Sequence, residues 1–246
     1  ILVESVHLQT IKDETDEWDC MIKINRALQA MTKHGGGPVH INLTTTYSRD
    51  YSVKELPKVN KIDYYTGSDK LPELPSGRIA IFIGSHHIFT KEQSEAIDKF
   101  CSANNAVAFC DHTSNYRGKY RVLASLMGLQ TQYHCPLLDV DLMIQIGEVS
   151  GAYDMYAVNP KQVWRVSLDG VIRDMQRRLT AVFEMDETFF FKHYAQGGNS
   201  DDRFIEEWNA AQKDLYSKIP DLPFSNIWIA EQLSSKLPKD SILYLG

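Results

Sequence analysis

The sequence predicts an α/β fold, a doubly wound, mostly parallel three-layer sandwich, and three observations carry that prediction. Arg78 to Ile83 is a short, nearly unbroken apolar run rich in Ile and stopped by Gly84, the pattern of a strand buried on both faces of a parallel sheet. A helix signal follows at once. Thr90 can cap a helix whose third residue is Gln93, and Ile97, Phe100 and Cys101 fall on one face at spacings of three and four. After a stop at Asn104 and Asn105, Ala106 to Cys110 is a second small apolar run, so strand, helix and strand fit one right-handed crossover unit with short connections.

Upstream, Ile1 to Leu8 reads as a strand with its connection. Thr15 to Met31 reads as a helix in which Trp18, Met21, Ile22, Ala27 and Leu28 recur at helical spacing. Gly35-Gly36-Gly37 ends it, and Pro38 to Leu43 follows as a strand with its proline at the first position, where a missing N–H does least harm. Residues 44–77 change character: threonines, tyrosines, alternating charges and Pro57, Pro72 and Pro75 mark a long connection with one short strand around Ile62 to Tyr65.

Downstream, Asp111 to Lys119 is a polar loop at the carboxyl end of a strand, where ligands of open parallel sheets tend to lie. Tyr120 to Met127 is expected to be a short helix, Leu138 to Ile146 a strand, Ser150 to Val158 a helix start, and Gln162 to Leu168 and Thr180 to Met185 two further strands. About five strands with intervening helices give the doubly wound, Rossmann-like core. Helices are expected from Asp186 to Tyr194, from Asp201 to Lys218 with Phe204, Ile205, Trp208, Ala211 and Leu215 on one stripe, and from Ile227 to Leu237 behind a Ser225 cap. Ser241 to Leu245 reads as the opening of another strand. The chain starts at Ile1 without a methionine and stops directly after an apolar run, and it reads as a segment of something longer.

Composition excludes several classes. A net charge of −6 and a pI near 5.8, with no Lys/Arg run along a face, leave no electrostatic footprint for nucleic acid. The longest apolar runs are strand length, far short of the roughly 20 residues of a membrane helix, and no signal peptide is present, which points to a cytoplasmic protein without a membrane partner. Cys20, Cys101, Cys110 and Cys135 lack CxxC spacing and read as buried free thiols, and the histidines show no HExxH, so a metal site has no support. The turn after Ile83 has one glycine where a dinucleotide fingerprint needs three, and no GKS or GKT occurs. His86 and His87 in that turn read as solvated loop histidines. Ser114, His112 and Asp111 hold the atoms of a triad, but neighbours in one loop do not reach triad geometry and no GxSxG elbow exists. Arg117 and Lys119 can meet an anionic ligand or a domain partner, or stay solvated.

The order of pieces is GGPVHINL, a linker, RIAIFIG, DHTSNYRG, LMIQIG, a helix start at Ser-Gly, WRVSLDG and FSNIWIAEQLSSKLPKDSILYLG. This order resembles the middle of the thiamine-diphosphate-dependent enzymes of the acetolactate synthase and pyruvate decarboxylase superfamily, and within it the synthases of menaquinone biosynthesis. The resemblance implies that residues 1–43 end a pyrimidine-binding domain, 44–77 form a linker, 78–196 form the central Rossmann-like domain, 197–224 form a linker helix and 225–246 begin a diphosphate-binding domain. It implies a homodimeric or homotetrameric 2-oxo acid carboligase or decarboxylase that needs thiamine diphosphate and Mg²⁺. Both would be held by flanking domains, with no catalytic residue and no cofactor in this segment. The central domain binds FAD or ADP in some members and neither in the menaquinone synthases. Substrate-cleft candidates are Ser114, Arg117, Lys119, Ser150 and Tyr153. In the menaquinone synthases a Lys-Arg pair engages the acidic substrate where this chain has Ala152-Tyr153, so a carboxylate clamp is replaced and another 2-oxo acid is expected. Two rivals are a stand-alone nucleotide- or sugar-nucleotide-binding module and a purely structural dimerisation domain.

Overall fold

The computed structural model describes residues 1–47, 49–52, 54–55, 60–130, 134–150, 157–196, 200–239 and 241–243. Strand β1 (Glu4–Leu8) and strand β2 (Val39–Leu43) pair in parallel across helix α1 (Glu14–Ala30), whose Asp13 cap accepts from the backbone N–H groups of Thr15 and Asp16. Val6, Leu8, Cys20 and Ala27 form the small core of this part.

The main sheet contains seven strands, all parallel, in the order β3 (Asp63–Thr66), β9 (Leu179–Glu184), β8 (Asn159–Ser167), β7 (Asp139–Ile146), β4 (Ile79–Ile83), β5 (Ala106–Cys110) and β6 (Arg121–Val122). Every residue of β4 and β5 is buried, as expected for strands covered on both faces. The layering follows from β3. Successive side chains of a strand point to opposite faces. Tyr65 stacks on Phe183 at 5.1 Å, and Phe183 meets Phe190 of helix α4 (Glu187–Tyr194). Tyr64, on the other face, carries the Lys33 ammonium 3.5 Å above its ring, just beyond the end of α1. Helices therefore cover both faces, and the fold is the expected α/β three-layer sandwich.

Helix α2 (Lys91–Asn104) begins with the predicted capping box and ends at Asn105 in a left-handed conformation; it packs on α4 through Phe100 and Phe191 at 5.2 Å. Removing the cap side chain in Thr90→Ala is expected to cost about 1 kcal/mol, read from the urea midpoint; an unchanged midpoint would deny the box a stabilising role.

Two expectations need correction. Tyr120 to Met127 is not one helix: Arg121–Val122 forms β6 beside β5, and only Ser125–Gly128, helix α3, is helical. Tyr120, Val122 and Ala124 are buried while Arg121 and Leu123 are exposed, a period of two that belongs to a strand. The main sheet has two strands beyond the five expected around the core, short edge strands β3 and β6. Strand β3 is the short strand expected within residues 44–77. Residues 151–156, where a helix start was expected, lie outside the described residues.

The chain divides into two compact units, Ile1–Glu206 and Glu207–Gly246, with the division inside helix α5 (Arg203–Ser217). In the second unit Ser225 caps helix α6 (Asn226–Ser234) by accepting from Trp228 N at 3.2 Å, so the predicted cap holds and the helix stops short of Leu237. Ser241 to Leu243 are not in a strand, and the rest of that expected strand lies outside the described residues. All four cysteines are buried free thiols. Among the described residues no helix is long and apolar enough to cross a membrane.

Candidate functional site

Strand order reverses at β4. From it the chain proceeds outward through β5 and β6, then returns to the other side of β4 to lay down β7, β8 and β9. The carboxyl ends of β4 and β7 consequently diverge into a crevice, the place where open parallel sheets take ligands. Gly84 and Gly147 shape it. Just beyond them Ser85 and Glu148 exchange backbone hydrogen bonds, Ser85 N donating to Glu148 O at 3.1 Å and Glu148 N to Ser85 O at 2.8 Å. Gly147 has φ +73°, a conformation that a side chain would strain. The crevice has a volume of 380 Å³ and is lined by Ser85, His86, Glu148, Asp169, Asp186 and Glu187 among others.

His86 departs from its sequence reading. Its side chain is 4 % exposed, with Nε2 3.1 Å from Glu187 Oε2 and Nδ1 2.8 Å from the carbonyl of His87, and it stacks on Phe89 at 4.0 Å. Both ring nitrogens face pure acceptors, so satisfying both requires the doubly protonated imidazolium. Burial acts to lower the His86 pKa, but the hydrogen bond and charge of Glu187 outweigh it and hold the group above its usual value. Glu187 comes from the first turn of α4, where a carboxylate also suits the helix dipole. The sign of the pH effect follows. The raised pKa contributes stability that is complete below the unfolded-state value near 6.5 and is lost as pH rises through the higher folded-state value. Glu187→Gln is expected to flatten that part of the stability–pH profile, measured by urea unfolding from pH 5 to pH 9; an unaltered profile would contradict the pairing.

A second cleft of 540 Å³ lies at the end of β5, lined by Asp111, His112, Asn115, Tyr116, Arg117 and Arg121 among others. Asp111 organises it. Its Oδ1 accepts from Thr113 N at 2.5 Å and Thr113 Oγ1 at 2.7 Å, and its Oδ2 accepts from Ser150 Oγ. Burial pushes the Asp111 carboxyl up, but the Ser150 and Thr113 hydrogen bonds win and hold it below the usual carboxylate range. Ser114 is fully buried, donating to the Ile83 carbonyl at 2.5 Å and accepting from Asp111 N at 2.8 Å. Its hydroxyl ties the loop to β4, in keeping with the rejection of a triad. Arg117 is exposed on the cleft wall, and exposed Lys119 pairs with Asp202 at 2.5 Å. The structure thus brings Ser114 and Ser150 together on Asp111, sets Arg117 at the cleft and ties Lys119 to Asp202. Tyr153 lies outside the described residues. Arg165 of β8 and Arg173, neither of them singled out in the sequence, also lie close to the first crevice. A lone arginine inside the apolar run of β8 was the signal available.

No protein-family model matches the chain. It is 27 % identical to the 2-succinyl-5-enolpyruvyl-6-hydroxy-3-cyclohexene-1-carboxylate synthase of Phocaeicola vulgatus over 98 % of this chain and 46 % of that protein. The enzymes of the same name from Bacteroides fragilis and Bacteroides thetaiotaomicron are also 27 % identical, each over 100 % of this chain and 47 % of their own length. The chain spans about half the length of the curated relatives it matches. Over its whole length, then, it is similar to the 2-succinyl-5-enolpyruvyl-6-hydroxy-3-cyclohexene-1-carboxylate synthases, in line with the resemblance carried by the order of its sequence phrases.

Proposed function

We propose that this chain is the central part of a thiamine-diphosphate-dependent 2-oxo acid carboligase or decarboxylase, a scaffold and one wall of the substrate cleft without catalytic groups of its own. The observation that carries the reading is similarity to the named synthases along the entire chain, combined with an all-parallel three-layer core. In this reading residues 78–196, with strand β3 of the preceding connection added at the edge of their sheet, are the central domain. The β1–β2 pair belongs to a preceding pyrimidine-binding domain and α6 to a following diphosphate-binding domain. The isolated two-strand sheet supports that division, since parallel strands normally lie in larger, doubly covered sheets. Thiamine diphosphate supplies the carbanion chemistry in such enzymes, and the protein supplies position and a dry site. Among the described residues no group of three His, Cys, Asp or Glu side chains is placed to hold a metal ion, and no step is derived through thiamine diphosphate or Mg²⁺.

Ser114, Arg117, Lys119, Ser150 and Tyr153 are proposed for the cleft wall, with Arg117 the cation best placed to meet a carboxylate. Ala152-Tyr153 in place of a Lys-Arg pair favours a 2-oxo acid other than that of the menaquinone synthases. The test is carbon dioxide release by the full-length protein, with thiamine diphosphate and Mg²⁺, from a panel of 2-oxo acids that includes 2-oxoglutarate with isochorismate. Release from at least one is expected, and Arg117→Ala is expected to raise KM by about tenfold with kcat held, the loss of one charged hydrogen bond. A folded full-length protein inert across the panel would refute the activity.

A further inference from the structure

Arg117, in the loop after β5, and Arg121, the first residue of β6, both line the 540 Å³ cleft at the end of β5. Both residues are exposed, and among the described residues neither guanidinium makes a hydrogen bond or an ion pair. The carboxylates around this loop are spent on its other residues. Asp98 of α2 accepts from the Tyr116 hydroxyl and from Lys119 N at 3.2 Å, and Asp202 accepts from Lys119 Nζ and from the Tyr120 hydroxyl, each at 2.5 Å. Asp111, the one acid among the described lining residues, turns one oxygen to Thr113 and the other to Ser150. The same bonds tie Tyr116, Lys119 and Tyr120 to other elements. The two arginines are therefore carried on a loop already held in shape, which lowers the ordering cost of a ligand that uses them.

Charge narrows the class of ligand. The chain has a net charge of −6, and the neighbouring β4–β7 crevice is lined by Glu148, Asp169, Asp186 and Glu187. An anion is repelled there and drawn to the β5 cleft, where two guanidinium forks match carboxylate or phosphate oxygens. One fork satisfies a single carboxylate; the second favours a further negative charge on the same molecule. We propose that the β5 cleft binds a small dianion, a dicarboxylate or a phosphate monoester, through Arg117 and Arg121 together. Thiamine diphosphate as its Mg²⁺ complex is not such a ligand, because the metal cancels the charge of the diphosphate. The proposal rests on the reading of this cleft as a ligand-facing wall and adds Arg121 and the charge of the ligand; it does not require the activity proposed above.

The experiment is calorimetric titration of the purified chain at low ionic strength with succinate, with methyl phosphate and with acetate, at about pH 8, where the first two are dianions. Saturable heat from at least one dianion is expected, and the one that binds tells carboxylate from phosphate recognition. Acetate, which occupies one fork only, is expected to bind about tenfold more weakly. Arg117→Gln and Arg121→Gln, both at exposed positions, are expected to fold as the parent does, and each to weaken the dianion by about tenfold. The proposal is overturned if neither dianion gives saturable heat, if acetate binds as tightly, or if either variant binds the dianion unchanged. No turnover enters this measurement. Dianion binding by a chain whose full-length protein releases no carbon dioxide would refute only the activity, and carbon dioxide release without dianion binding would refute only this site.

Discussion

Phe183→Ala is expected to lower the unfolding free energy by about 3–5 kcal/mol, the cost of emptying an aromatic site in a packed core. Phe183 is fully buried, and three rings surround it: Tyr65 of β3 at 5.1 Å, Trp164 of β8 at 5.0 Å and Phe190 of α4 at 5.0 Å. These neighbours come from separate elements that cannot all close on an alanine, so the cavity persists. For a domain of this size the loss amounts to a fall in Tm of about 10 °C. Phe189, the adjacent residue in sequence before Phe190, is 47 % exposed, and Phe189→Ala is expected to stay within about 0.5 kcal/mol. Urea unfolding of the two variants checks both values. Equal, small losses would mean that β3 and α4 do not meet on Phe183.

The second large effect is at the crevice. A Cβ added at Gly84 collides with the backbone carbonyl oxygen of Glu148, a contact that no side-chain rotation relieves. Gly84 N also donates to Ile146 O at 3.0 Å, so the residue is held between β4 and β7 from both directions. Gly84→Val is therefore expected to cost about 3 kcal/mol and to break the reciprocal Ser85–Glu148 bonds that follow. Amide hydrogen exchange at Ser85 and Glu148 reports the second part, because both N–H groups lose their acceptors. Protection retained at both, with unchanged stability, would show that the two strand ends are not in contact.

The sheet centre was legible because burial on both faces leaves a continuous apolar run, as in β4 and β5. The edges were harder. Strand β6 is two residues long, and the alternation of Tyr120, Val122 and Ala124 is too brief to compete with a helical reading of the same residues. Local chemistry also read well. The Thr90 and Ser225 caps need only residues three positions apart, and both form.

The sites were less legible, since their groups meet across long sequence separations. His86 reads as a solvated loop residue until Glu187, 101 positions later, is folded onto it. Asp111 becomes the centre of its loop only when Ser150, 39 positions later, arrives at its carboxylate. Arg165 gives a faint signal because an arginine in a strand ordinarily reaches solvent or a full set of partners, and only the folded sheet leaves its Nε and Nη2 with neither among the described residues.

We propose above all that this chain scaffolds a cofactor-dependent enzyme without holding the cofactor. Calorimetric titration of thiamine diphosphate with Mg²⁺ into the 246-residue chain tests it most directly. The account predicts no heat beyond dilution; saturable uptake of thiamine diphosphate by this chain would contradict it.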